Sequence, residues 1–405
     1  MVILKRALSC GVMLLAGLAM VSCGGSSGSG SGTTTTTTQA SNQLAVTVSG
    51  GPSGNAVNTL YTTVTICVPG TTTCQTIDNI QVDTGSFGLR VLASVLTLSL
   101  PVSTATDGNS LVECTQFVDG YSWGPVATAD LEVTGEKASS LPVQVIGSSN
   151  FTNVPADCSS TGSAEDTVAT FGANGILGIG VFEQDCGDGC EESAQGGYYY
   201  SCTSTGCNAI AVPLASQVLN PIPLFTTDNN GSIIELSSVA AGGAATVSGS
   251  IFFGIDTESN NTSGSQTVLT LDPENGYLTT TYNGAALTTS FIDSGSNGFF
   301  FNDSSIAACT SSDFSGFYCP SSTLDLTATL TGQAGTSESV SFSVANAQTV
   351  ADANASYTAF SNLGGEYSSS GTTFDWGLPF FYGRDVYNAI ENHSTTAGTG
   401  PYVAF

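Results

Sequence analysis

Two five-residue segments, Val82-Asp83-Thr84-Gly85-Ser86 and Ile292-Asp293-Ser294-Gly295-Ser296, stand 210 residues apart and are near copies of each other. In each, an apolar run of strand-forming residues (Ile80 and Val82; Phe291 and Ile292) leads into an aspartate, a hydroxyl, a glycine and a second hydroxyl. A carboxylate at the end of a buried strand is costly to keep charged, because desolvation disfavours the ion. Two such carboxyls set face to face can share one proton. The ionised member then acts as a base toward water, and the protonated member as an acid. Glycine allows a sharp turn and close backbone approach, and the hydroxyls can donate to a carboxylate. A single Asp-Thr-Gly-Ser in a chain rich in Ser, Thr and Gly reads as an ordinary hydrogen-bonded turn. Two copies in matching apolar contexts read as a pair.

Short strands must position this pair. Runs of β-formers begin at Leu44-Ala45-Val46-Thr47-Val48, and a hairpin follows from Tyr61–Val68 and Gln75–Val82 about a Pro69-Gly70 turn. A second hairpin turns near Asp119-Gly120-Tyr121-Ser122-Trp123-Gly124-Pro125 and returns along Val126–Val133, with Leu141–Ile146 beyond. Val212–Leu219 is expected as a short helix ended by Asn220-Pro221. A new round of strands starts at Gly231–Leu236 and continues through Ser250–Gly254 and Thr267–Leu271 to the second motif. In each half the motif is followed by an apolar segment with a central glycine, 95 residues on in the first (Asp83 to Gly178) and 84 in the second (Asp293 to Gly377). An internal duplication with one carboxylate per half explains this most simply.

Composition limits the partners. Among 405 residues there are 48 Gly, and five Lys and Arg against 32 Asp and Glu. Nucleic acid and anionic membrane surfaces need basic patches that this chain lacks. The sole histidine, His393, sits in the polar segment Glu391-Asn392-His393-Ser394. Multi-histidine metal sites are thereby excluded, and His393 reads as a surface residue. No metal and no cofactor is expected.

Lys5 and Arg6 precede an apolar stretch, Ala7–Met20, too short for a membrane span, so residues 1–22 read as an export signal. The stretch ends in Met20-Val21-Ser22-Cys23-Gly24, which resembles the lipobox of bacterial lipoproteins, with Cys23 as the lipidated residue. Met20 is not the favoured leucine of that motif, so ordinary signal cleavage stays open. Residues 23–43 then form a Gly/Ser/Thr tether with a reach of roughly 20–25 Å. The expected location is the bacterial cell envelope, as an outer-membrane lipoprotein touching the membrane through its N-terminal lipid only. Beyond Cys23 ten cysteines remain, an even number that reads as disulfides in an exported chain. Sequence cannot assign their connectivity. Cys67–Cys74, Cys309–Cys319 and a longer Cys114–Cys158 bridge are the natural pairs, while Cys186/Cys190 and Cys202/Cys207 also fit a zinc knuckle by spacing alone. Residues 183–208, rich in Cys, Gly and acid, read as a stapled insertion.

The two motifs, in this order and spacing, resemble those of the pepsin-like, two-lobed aspartic proteases. Thr59–Val82 resembles the strands entering the first catalytic loop, with Leu89 and Val91 after it. Gly124–Val133 resembles the return strand of the flap, and Gly175–Gly180 the loop that threads beside the catalytic turn. The layout is also similar to that of a family of uncharacterised bacterial lipoproteins. The resemblance spans about Leu44 to Phe405. It implies a mainly β, bilobal double barrel with an interlobe cleft and few short helices: an N-terminal lobe over 44–230 and a C-terminal lobe over 231–405. It implies Asp83 and Asp293 as the water-activating dyad of a monomeric endopeptidase acting on peptide or protein substrates. Thr84 and Ser294 would lock the lobes together, Gly85 and Gly295 would make the turns, and Ser86 and Ser296 would bond the carboxylates. Two departures stand out. The Tyr-Gly of the flap is absent, leaving Phe117, Tyr121 and Trp123 as aromatic candidates, of which Tyr121 is the choice. Asp375-Trp376-Gly377 stands where two apolar residues usually precede glycine, and an inward Asp375 would alter the pair's titration. The basic propeptide of many family members is missing. Trp376, Phe380 and Phe381 read as core, and Arg384 as a structural cation. The rival readings are a tethered, non-catalytic protein holding a peptide or glycan in the cleft, and a purely structural envelope protein with no cleft. Carboxyls too far apart to share a proton would favour the binding protein.

Overall fold

The computed structural model describes residues 41–118, 120–367 and 371–405. The export signal, Cys23, most of the tether and Asp119 lie outside them. The chain is mainly β: one sheet of sixteen strands and one of seven, with helices of at most seven residues among the described residues. The alternating Thr/apolar runs explain the strands. In Leu324–Thr331, for example, Ala328 and Leu330 are buried and their neighbours are not.

Within the large sheet, Leu60–Cys67 and Cys74–Asp83 form the expected antiparallel hairpin. Gly175–Ile179 then lies parallel to Cys74–Asp83 and antiparallel to Phe87–Leu92, which frames the first motif on both sides. The first strand, Gln43–Val48, crosses to pair with Val247–Phe253 and so joins the early strands to those of the second half. The smaller sheet carries the second motif: Phe374–Trp376 runs parallel to Ala285–Ile292 and antiparallel to Phe299–Phe301. Behind it Phe301, Phe374 and Trp376 stack in sequence, with ring centroids 4.6 and 4.1 Å apart. Trp376, Phe380 and Phe381 are core residues as expected. Arg384 donates to the Phe380 carbonyl at 2.6 Å and lies over its ring.

Five disulfides close the described chain: the three natural pairs, together with Cys186–Cys190 and Cys202–Cys207. The close pairs are thus bonded to each other, which displaces the zinc-knuckle alternative. Such bridges are compatible with an extracellular location. Among the described residues no helix is long and apolar enough to cross a membrane.

The structure corrects one expectation. Val212–Leu219 forms only a single turn, Leu214–Ser216, because Pro213 precedes it and Gln217 is committed elsewhere. The Gln217 amide donates to the Val212 and Gly187 carbonyls and accepts from the Gly187 N–H. Residues 183–208 hold two short-range disulfides, and Tyr199–Thr203 within them extends the sheet by pairing with Ser110–Gln116. His393 lies at the surface, half-buried, with its Nε2 3.3 Å from Glu183.

Candidate active site

The two motifs meet. Asp83 ends the strand Cys74–Asp83, Asp293 directly follows the strand Ala285–Ile292, both are buried, and each is held from behind in the same way. The Gly85 N–H donates to Asp83 Oδ1 at 2.7 Å and the Ser86 hydroxyl to Oδ2 at 2.6 Å. The Gly295 N–H donates to Asp293 Oδ1 at 2.6 Å and the Ser296 hydroxyl to Oδ2 at 2.7 Å. These bonds leave the inner edges of the carboxyls turned toward one another, close enough to hydrogen-bond through a shared proton. Burial, and then the charge of Asp293 opposite, push the Asp83 carboxyl well above the usual carboxylate range.

Glycine is required beside each carboxyl for space. A Cβ on Gly85 would stand 2.7 Å from Asp293 Cγ, and one on Gly295 would stand 2.5 Å from Asp83 Oδ1. The residues between aspartate and glycine tie the halves together. The Thr84 N–H donates to Ser294 Oγ at 3.1 Å and the Ser294 N–H to Thr84 Oγ1 at 2.9 Å. Their hydroxyls in turn donate to the Ile292 and Val82 carbonyls at 3.2 and 3.0 Å.

The pair opens onto a cavity of about 280 Å³, whose walls are Phe87, Arg90, Phe291 and Asp375 together with Thr115–Val118 of the second hairpin. A larger trough of about 880 Å³ adjoins it, sharing Gly85, Phe87, Gln116, Asp185, Tyr198 and Phe291.

The hairpin approaches the pair with different residues from the one expected. Tyr121 sits on the return strand opposite Gln116 and packs with Trp123, Cys114, Cys158 and Tyr200, and it is not among the residues that line the cavity. Thr115, Gln116, Phe117 and Val118 face the cavity instead. Phe117 and Trp123 were the rival aromatics, and of these only Phe117 reaches it.

Three further features reach the cavity, and only Arg90 among them escapes a reading of motifs. The first is Arg90, fully buried, which bonds Glu113 at 2.5 Å, Asp185 at 2.9 Å, Thr115 and the Phe87 carbonyl. Nothing local marks it; only a lone cation inside an apolar strand could have raised the question. The second is the insertion, which brings Asp185 and Tyr198 to the cavity wall. The third is Asp375, which points inward. Its signal was present as alternation, because Phe374 and Trp376 enter the core and the residue between them must take the other face.

Among solved structures, the chain is similar to an aspartic proteinase from Irpex lacteus, with a TM-score of 0.52 at 15% identity, covering 89% of this chain and 96% of that one. At this identity the likeness shows a pepsin-like bilobal fold. No curated protein matches. The sequence model of one family matches residues 38–405, and the chain belongs to that family, described as Protein of unknown function (DUF3443).

Proposed function

We propose that the chain is an exported aspartic-type endopeptidase that hydrolyses extended peptide segments lying in the cleft between lobes 44–230 and 231–405. One observation carries this reading: two buried carboxyls, each held from behind by a glycine N–H and a serine hydroxyl, lie within hydrogen-bonding reach of each other and open together onto a cavity. The chemistry follows from that arrangement. A water between the carboxyls loses a proton to the ionised one as its oxygen bonds the peptide carbonyl carbon. The protonated carboxyl gives its proton to the carbonyl oxygen, and a tetrahedral diol forms. Collapse of the diol breaks the C–N bond: the proton taken from water passes to the departing nitrogen, and one diol hydroxyl returns its proton to the other carboxyl as the C=O of the new acid forms. Gly85, Gly295, Ser86 and Ser296 hold the geometry, and Thr84 and Ser294 keep the lobes in register.

The test is cleavage of an unfolded, peptide-rich substrate by the disulfide-intact protein. Asp83→Asn and Asp293→Asn are each expected to reduce cleavage about a thousandfold or more. Absence of cleavage from pH 2 to 8 overturns the proposal. In that event a tethered binding protein becomes the better reading, for which the exposed Tyr198 and Val118 at the cavity rim offer a contact surface. Anchoring through Cys23 belongs to the same proposal. Cys23→Ser is expected to release the protein from membranes, and soluble protein with Cys23 intact would contradict it.

A further inference from the structure

We propose that the trough beside the aspartate pair selects cationic peptide segments: Asp188 and Glu274 receive a lysine or arginine side chain, and Asn388 donates to the peptide backbone. The proposal rests on the reading of Asp83 and Asp293 as the water-activating pair and names the substrate class of that site. Asp188 opens the short helix Asp188–Glu192, and Glu274 lies in the turn between the strands Val268–Thr270 and Leu278–Tyr282. One comes from each half of the chain, and both border the trough of about 880 Å³. Their segments meet at Phe182 and Gly276, where a Cβ on Gly276 would stand 3.2 Å from the Phe182 ring. Both side chains are exposed, and neither carboxyl has a hydrogen-bond or ion-pair partner among the described residues.

A solvated carboxylate on an acidic protein ordinarily calls for no explanation. Here the source of counter-charge decides the matter. Beyond residue 22 the side-chain cations are Arg90, Lys137 and Arg384. Arg90 is bonded to Glu113 and Asp185, and Lys137 to Asp130 and Glu132. Arg384 lies over the Phe380 ring and donates to its carbonyl. None of the three lines the trough, whose remaining acidic residues are Asp185 and Glu391. The sole histidine faces Glu183. A cleft lined by one sign of charge focuses its field and concentrates the opposite charge. In this trough the ligand must bring the cation.

An independent observation also points to a ligand. Asn388 lines the trough and is 1% exposed, and its Nδ2 has no hydrogen-bond partner. Alternation along Asp385–Ala389 puts it on the face of Val386 and Ile390, which pack into the main core, while Tyr387 and Ala389 take the other face. An amide donor held in apolar surroundings without an acceptor is costly. Lysine and arginine side chains offer no acceptor, whereas a peptide carbonyl does. The amide and the carboxyls therefore read different parts of one ligand, its backbone and its side chains.

Binding is measured on the Asp83→Asn protein, which keeps the trough and prevents turnover. The probes are a fluorescent extended peptide carrying two lysines and its glutamine counterpart, at pH 6 and low salt. The lysine peptide is expected to bind about tenfold more tightly, with a margin that narrows as salt rises. Asp188→Asn with Glu274→Gln is expected to remove most of that margin and to leave the glutamine peptide unaffected. Glu258→Gln with Asp325→Asn removes the same charge from exposed positions outside the trough and should leave the margin intact. Equal affinity for the two peptides overturns the proposal. An equal loss in the two double variants also overturns it, because the preference then belongs to the charge of the whole molecule. Asn388→Leu is expected to weaken both peptides alike, about fivefold, without lowering Tm. Unchanged binding of both refutes the backbone contact. Cleavage by the parent separates this proposal from the reading beneath it. Equal binding in a protein that cleaves both peptides leaves the endopeptidase and removes the selection. Lysine-selective binding in a protein that cleaves neither removes the endopeptidase and leaves a cationic peptide as the ligand.

Discussion

Thr84 and Ser294 carry no charge, yet they tie the two motifs together. Four hydrogen bonds cross between them, each joining a buried backbone group or hydroxyl of one half to the other. Thr84→Val preserves shape and removes the hydroxyl, leaving the buried Ser294 N–H and the Ile292 carbonyl without that partner. Each orphaned buried group costs about 1–3 kcal/mol. Thr84→Val is therefore expected to destabilise the chain by roughly 2–4 kcal/mol in urea unfolding. A change below about 0.5 kcal/mol would mean that the crossing bonds contribute nothing net. Cleavage should fall as well, because the carboxyls lose their common frame. At this scale the sequence was most legible: a hydroxyl after each aspartate and another after each glycine stand in the motif itself, and their bonds follow from the turn.

Secondary-structure elements were legible in their periodicity and less so in their pairing. The alternation of Leu60–Cys67 and Cys74–Asp83 announces a hairpin, and the structure has one. Among the three aromatics of the second hairpin, Phe117 lines the cavity and Tyr121 does not, although Tyr121 stands opposite Gln116, which does; sequence places all three near the turn without saying which one reaches inward. The missed helix over 212–219 failed for a tertiary reason, the demand of Gly187 and Val212 on Gln217. Arg90 shows what only assembly reveals. It stands on Phe87–Leu92, which follows the first motif, and binds both the second hairpin through Glu113 and the insertion through Asp185. Arg90→Met fills similar space but leaves two carboxyls buried without their cation, a loss of about 3–5 kcal/mol at neutral pH. Burial, and then Glu113, already raise Asp185, and Arg90 opposes that rise, so its removal lifts Asp185 further. The penalty is the cost of holding that group ionised at pH 7. It should shrink as pH falls toward about 4, where protonation relieves it. Urea melts of parent and variant at pH 7 and 4.5 check this, and equal losses at both would refute the electrostatic account.

The whole molecule carries 32 acidic side chains, and beyond residue 22 only Arg90, Lys137 and Arg384 stand against them. Most proteins become strongly cationic in acid and repel themselves apart; this one approaches neutrality. The titration of individual groups points the same way. Burial, with Asp228 adding to it, pushes Glu136 up to about 7, and burial likewise raises Glu235 and Glu391. Asp83, Asp185 and Asp375 are raised further, with burial again the largest cause. A carboxyl raised in the folded state binds its proton there before the unfolded chain does. Between its folded value and about 4, the native state therefore holds more protons, and stability increases as pH falls. Below about 4 the balance reverses. Asp130, Asp256 and Asp303 are raised by burial, but hydrogen bonds outweigh that and hold them low, while Asp272 is held low by the backbone N–H groups of Asn275 and Glu274. Their stabilisation is present above the unfolded value and is lost as pH falls through their folded values. The five disulfides restrict the unfolded chain at every pH. A thermal-melt series from pH 3 to 8 is thus expected to place the highest Tm near pH 4–5, with a decline toward pH 8 and a steeper one below about 3.5. A steep fall in Tm between pH 6 and 4 would show that paired carboxylates, not buried acids, dominate the stability of this chain.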